Sequence, residues 1–194
     1  MKTPNEEKLC QCYLDDQQLY RLLEKVDADL AQKTQEQGCC RCGDKLYFDS
    51  YPRKPRGGPA TWDKRYSFTC ATNRHRVTPR SVRFLGPKVY VMVVVVLISA
   101  MRHGLKRERV QALRENLGID RRTLERWRAW WLEQFVQSVF WKAARGRFMP
   151  LVCERTLPWS LCKVFGVDRR DRLLELLKFL SPITTGSVPL DRLF

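Results

Sequence analysis

Residues 38 to 43 read GCCRCG, three thiols in four positions, and no other stretch constrains the fold of this chain as much. Cys39 and Cys42 form a CxxC pair. After 27 intervening residues comes Cys70, and after four more His75. Two ligand pairs, each on a tight turn at the tip of a short hairpin, are what a tetrahedral Zn2+ needs. Neighbouring thiolates converge on one ion, while a sheet sets the distance between the pairs. The spacing therefore predicts Cys39, Cys42, Cys70 and His75 as ligands and Zn2+ as cofactor. The first knuckle is the stronger half, by its spacing and its flanking glycines, and CxxxxH is the looser one. A segment with so few apolar residues is expected to draw its stability from the ion.

Cys40 competes with Cys39 for the ion, but only Cys39 stands at the usual two-residue spacing from Cys42. A redox role for CxxC is disfavoured, because no strand–helix–strand pattern surrounds it. The beginning of the chain, MKTPNEEKLCQ, is polar, with nothing a secretory machinery would read. That points to a reducing, cytoplasmic and nucleoid-associated location, where eight cysteines serve as metal ligands and buried fillers rather than disulfides. Cys10 and Cys12 form a weak CxC signal, and Cys153 and Cys162 read as core fillers.

Charge separates this chain from an average globular one. Thirty-six Lys and Arg against twenty-one Asp and Glu leave +15, a bias best explained by an anionic partner. The excess is central: +9 over residues 39 to 88 and +7 over 102 to 148, against −3 over 1 to 38. Nucleic acid leads as partner, and an acidic membrane surface comes second. Val89 to Met101, VYVMVVVVLISAM, is too short to span a bilayer and reads as a buried helix despite its valines. No membrane partner is expected. Within YPRKPRGGPATWDKR, the prolines remove donors and the glycines add entropy, so PRKPRGGP is expected to be a mobile basic loop. Arg53, Lys54 and Arg56 on it are candidate phosphate contacts, with a solvated hairpin tip as the plainer reading.

From Asp15 to Lys33, the residues Leu19, Leu22, Leu23, Val26 and Leu30 recur at helical spacing with Asp15 and Asp16 at the amino end. This predicts an amphipathic helix with an acidic outer face, packed on the body of the protein or on a second copy in a homo-oligomer. Further on, VQALRENLGIDRRTLERWRAWW, from Val110 to Trp131, reads as two helices. Gly118 permits the positive φ of a sharp exit, and Asp120 caps the second helix. Val110, Leu113, Leu117, Ile119, Leu124 and Trp127 fall where a helix-turn-helix buries its small core. Arg114 departs from that pattern, standing where a small residue is common. A step of about 100° per residue puts Leu124, Trp127 and Trp131 on one side of the second helix and Arg121, Arg122, Glu125, Arg126 and Ala129 on the other. Such a face suits a major groove, where Arg pairs with guanine and Glu accepts from cytosine, with Arg128 at its edge as a phosphate contact. The plainer reading is a charged, solvated helical hairpin. Val89 to Met101 supplies the third helix, and His103 and Gly104 its exit.

The expected fold is mainly α with a small β zinc ribbon. An N-terminal amphipathic helix occupies residues 1–38, the ribbon with its basic loop 39–87, a trihelical helix-turn-helix 88–138 and C-terminal helices 139–194. In the last segment a break falls at Met149 and Pro150, a short helix near Trp159 to Phe165, and a stronger one from Arg169 to Leu180.

The succession GCCRCG, YPRKPRGGPATW, RVTPRSVRFLGPKVY, LGIDRRTLERWRAWW and FWKAARGRFMP resembles a family of small zinc-ribbon plus helix-turn-helix proteins of bacterial insertion sequences and other mobile elements, associated with transposases. The resemblance covers the chain roughly from the first helix to Leu180. Similar sequences usually end the second knuckle in Cys, where this chain has His75, and zinc accepts either. The resemblance implies binding to element ends or regulation of a separately encoded transposase. No catalytic constellation is recognisable: Asp63, Asp120 and Glu125 have simpler roles in loop, cap and surface. The expectation is an accessory or regulatory protein binding double-stranded DNA. A recombinase or nuclease subunit with an unrecognised site, or a zinc-ribbon assembly module contacting a transposase or RNA, stands as the alternative.

Overall fold

The computed structural model describes residues 16–53, 56–85, 90–99, 107–149, 151–165 and 169–185. Over them the chain is mainly helical, with one three-stranded antiparallel sheet. It divides into two compact units, one formed by residues 16–92 together with the stretch from Leu177 on, the other by 93–176.

In the first unit, helix α1 (Gln17–Gln37) starts where the Asp16 carboxylate accepts the N–H groups of Gln18 and Leu19, both at 3.0 Å. It ends at Gly38, whose φ of 74° lets its N–H return to the Gln35 carbonyl. The helix buries Leu19, Tyr20, Leu23, Asp27 and Ala31, while Leu22, Val26 and Leu30 are only half-buried. This corrects the expected face: the stripe is rotated, and one of its acids points inward rather than to solvent.

Strands β1 (Leu46–Pro52) and β2 (Lys64–Cys70) pair antiparallel from Leu46 opposite Cys70 to Pro52 opposite Lys64, and short β3 (Arg76–Val77) adds to β2. Ala31 of α1 packs with Cys39, Leu46, Phe68, Cys70 and Val77 in one cluster. A second, aromatic group centres on Trp62, which meets Tyr20 edge-on at 5.3 Å and Phe84 at 6.3 Å. The segment is therefore not short of apolar core, contrary to the expectation from sequence, because α1 and residues 82–85 and 90–92 supply what the hairpins lack.

Asp27 and Arg83, each about 3 % exposed in its side chain, form an ion pair inside this core at 2.8 Å. The carboxylate also accepts the Ser81 hydroxyl at 2.7 Å and the Val82 N–H at 2.6 Å. The guanidinium lies 5.0–5.5 Å from the ring centroids of Phe84, Trp62 and Tyr66. A buried pair is tolerated only when its remaining bonds are made, and this carboxylate makes them. Arg65 is buried beside it and donates to the Thr184 carbonyl at 2.8 Å.

The described part of the basic loop is held by backbone hydrogen bonds, while Lys54 and Pro55 lie outside the described residues. The Arg53 N–H donates to the Asp63 carbonyl at 2.5 Å, the Val91 N–H to the Arg56 carbonyl at 3.1 Å, and the Tyr20 hydroxyl to the Gly57 carbonyl at 3.5 Å. A methyl on Gly58 would stand 2.8 Å from Val91 Cγ1 and 3.2 Å from the Trp62 ring, so backbone and core touch there.

The apolar run forms helix α2 (Met92–Ser99), with Met92 through Val96 and Ile98 buried. The valines take helix because burial outweighs their strand propensity. Residues 89, 100 and 101 of that run, and His103 and Gly104, lie outside the described residues. From Val93 the chain belongs to the second unit, which continues with α3 (Arg107–Leu117) and α4 (Arg121–Ala129). A π-helical turn, Trp130–Phe135, extends α4, and α5 (Val139–Ala144) follows with Ser138 as its cap. The wide turn stacks aromatics: Trp131 and Phe135 lie 4.9 Å apart, Phe135 and Trp141 5.2 Å, Trp141 and Phe148 6.0 Å. Short α6 (Trp159–Cys162) and α7 (Arg169–Leu180) stand at the expected places, and Pro182 sits in a 3-10 turn after α7. Among the described residues no helix is long and apolar enough to cross a membrane.

Candidate functional site

The knuckle is built by two glycines. Gly38 and Gly43 have φ of 74° and 77°, and a methyl on Gly38 would meet the Gly43 carbonyl oxygen at 2.5 Å. Between them the Gly43 N–H donates to the Cys39 carbonyl at 2.7 Å and the Cys39 N–H to the Asp44 carbonyl at 2.8 Å. The second tip is closed by the Cys70 N–H donating to the His75 carbonyl at 3.0 Å, with Arg74 at a φ of 55°.

These turns bring the sulfurs of Cys39, Cys42 and Cys70 within 4.8 Å of one another, with Cys42 and Cys70 at 3.5 Å. A tetrahedral ion with Zn–S bonds of about 2.3 Å holds its sulfurs about 3.8 Å apart, so the three fit one ion. The backbone N–H of Arg41 is the main cause that pulls the Cys39 thiol down to about 7, against its desolvation. Cys42 receives the Asp44 N–H, which favours its thiolate. The Cys70 sulfur, desolvation and the Cys39 charge together outweigh that and push Cys42 up to about 11. Cys39 is thus the more acidic of the two thiols, and a cation bound there would displace protons.

Of the four ligands read from the sequence, the structure brings three together. His75 stands outside the cluster, and its backbone closes the turn: its carbonyl accepts the Cys70 N–H and its own N–H donates to the Asn73 side-chain oxygen at 2.9 Å. Asn73, which the sequence reading passed over, directs its amide at the sulfurs of Cys42 (3.3 Å) and Cys39 (3.7 Å). Such N–H···S bonds stabilise thiolate charge and orient the ligands. The signal was present in TNRH, where an Asn between two candidate ligands marks a turn that its side chain organises. Cys40 is not in the cluster and packs at the edge of the apolar core.

In the second unit, the chain leaves α3 through Gly118, at a φ of 64°, and the Asp120 carboxylate accepts the Thr123 N–H at 2.6 Å to start α4. Ile119, Thr123, Leu124, Trp127 and Trp131 are buried, whereas Arg121, Arg122, Glu125, Arg126 and Arg128 are exposed. Arg121 pairs with Glu125 at 2.9 Å and Arg126 donates to the Thr123 hydroxyl at 3.0 Å. Both contacts are exposed or partly so, and pairs of that kind exchange for a ligand at little cost. The candidate phosphate contacts on the loop differ in setting. Arg53 is half-buried over the Phe84 ring at 5.7 Å, and Arg56 is exposed and stacks on Tyr90 at 5.8 Å. Lys54 lies outside the described residues.

Comparison with family models, with curated proteins and with solved structures finds no match to this chain.

Proposed function

We propose that this chain is a zinc-containing protein that binds duplex DNA, with α3 and α4 acting as a helix-turn-helix and the knuckle unit as a zinc ribbon. The observation that carries the reading is the division of α4. Four arginines and a glutamate face outward while Thr123, Leu124 and Trp127 are buried, on a helix entered through a positive-φ glycine and a carboxylate cap. Arg122 and Arg126 are the base readers in this reading, Arg121 and Glu125 open their pair to share that task, and Arg128 takes phosphate. Zn2+, held by Cys39, Cys42 and Cys70, fixes the two hairpin tips of the first unit and has no part in chemistry on the nucleic acid. The motif set points to a role beside a transposase of a mobile element, at the element ends or in its regulation.

The test is a set of duplexes selected from a randomised pool by the purified protein, compared with scrambled duplexes. Arg122→Ala and Arg126→Ala are expected to weaken the selected duplexes by about ten- to a hundredfold and the scrambled ones much less. Equal weakening of both would remove base reading from the proposal. Failure to enrich any sequence would remove specific binding altogether.

A further inference from the structure

A groove of about 630 Å³ opens in the first unit between α1, the knuckle and the segment after β3. It is large enough for a nucleotide-sized ligand. Three separate elements contribute a cation to its lining: Lys33 from α1, Arg41 from the knuckle and Arg80 from the segment after β3. Among the described residues no Asp or Glu lines it. Gln37 and Thr78 add neutral polar groups.

Arg80 is the informative member. It is half-buried, and among the described residues it makes neither an ion pair nor a hydrogen bond. Burial works against its charge, since desolvation lowers its pKa. A guanidinium does not lose its proton in a protein, so the relief open to it is an anion. The other inward arginines of this unit have found partners, Arg83 in Asp27 and Arg65 in the Thr184 carbonyl. Arg80 lines the groove instead.

We propose that this groove is a phosphate-binding site, taking either a phosphodiester of a nucleic-acid backbone or the terminal phosphate of a nucleotide. Cations contributed by three elements to one groove suit a tetrahedral, multiply charged anion better than a single planar carboxylate, and the guanidinium fork can grip two of its oxygens. None of the three residues belongs to the DNA-reading set on α4 or to the basic loop. The site goes beyond the function proposed above and stands or falls separately from it.

The experiment uses the full-length, zinc-loaded protein with three probes: inorganic pyrophosphate, adenosine monophosphate, and a duplex without terminal phosphates titrated at several salt concentrations. The variants are Arg80→Gln, Arg80→Lys and Lys33→Gln. Arg80 leaves no partner behind and Lys33 is exposed, so far-ultraviolet circular dichroism should stay native. Arg80→Gln is expected to weaken pyrophosphate about tenfold or more, with Arg80→Lys retaining part of the affinity. If the source is a backbone, Arg80→Gln also lowers the slope of log K against log salt on the duplex by about 0.9. If it is a nucleotide, adenosine monophosphate loses affinity while the duplex slope stays put. The proposal is overturned if Arg80→Gln changes none of the three. Should the duplex fail to bind at all while pyrophosphate still depends on Arg80, the groove survives and the DNA reading does not.

Discussion

At the residue scale, the cysteines divide by what their backbone neighbours do to them. Cys39 has N–H groups of its own turn aimed at its sulfur, and Cys42 shares a proton with Cys70. Cys42→Ser removes one of three converging sulfurs and is expected to abolish stoichiometric zinc. His75→Ala, outside the cluster, is expected to keep it. Metal analysis of the two purified variants decides, and loss of zinc from His75→Ala would return that imidazole to the coordination sphere. The same scale holds the least anticipated pair in the molecule. Asp27→Asn keeps the shape of the side chain but leaves Arg83 buried without its charge partner, and Glu24, half-exposed at 4.0 Å, compensates only in part. A cost of about 3–5 kcal/mol is expected, measured by urea denaturation. Neither residue could be read as buried beforehand, because helical periodicity scores an Asp as a solvent position and SVR carries no pattern that marks its arginine as internal.

At the scale of elements, capping and turn chemistry were the legible parts. Asp16, Gly38, Gly118 and Asp120 stand where their types are favoured, since a short side chain with an acceptor oxygen suits a cap and glycine takes a positive φ without steric cost. The α1 face was less legible: leucine spacing alone placed the stripe off by part of a turn, and Tyr20 and Ala31 were decided by Trp62 and the sheet. The π-helical turn at Trp130–Phe135 had no local signal, being set by how the aromatics that follow are stacked. For α4, the cap makes a pH prediction. The Thr123 N–H, first, and its hydroxyl hold the Asp120 carboxyl below the usual carboxylate range, with Arg126 and Arg114 assisting. A depressed folded value means the cap's contribution is complete above about pH 4 and is lost as pH falls through that lowered value. Asp120→Asn keeps the cap but not its titration. The melting temperatures of the two proteins, compared from about pH 6 down to pH 2, are expected to converge on acidification. A gap that stays constant would show that the carboxylate adds nothing beyond its cap geometry.

At the scale of the whole molecule, the sequence is right about the class of fold and misleading about what stabilises the ribbon. Counting only residues 39 to 88, the apolar content looks too small, and metal has to make up the difference. Chain connectivity changes that sum. Helix α1 from before the knuckle and the returning stretch from Leu177 both belong to the same compact unit, in which Trp62, Phe68 and Phe84 are about 1 % exposed. Under the zinc reading proposed above, the ion is needed to fix only the two tips where Cys39, Cys42 and Cys70 meet. Zinc removal is therefore expected to leave the unit folded. A chelator should lower the melting temperature and speed amide exchange at residues 38–44 and 70–76, while far-ultraviolet circular dichroism and the protection of β1 and β2 near Trp62 persist. Fully solvated 39–88 amides in the metal-free protein would mean that the aromatic core is a consequence of the metal rather than a support for it.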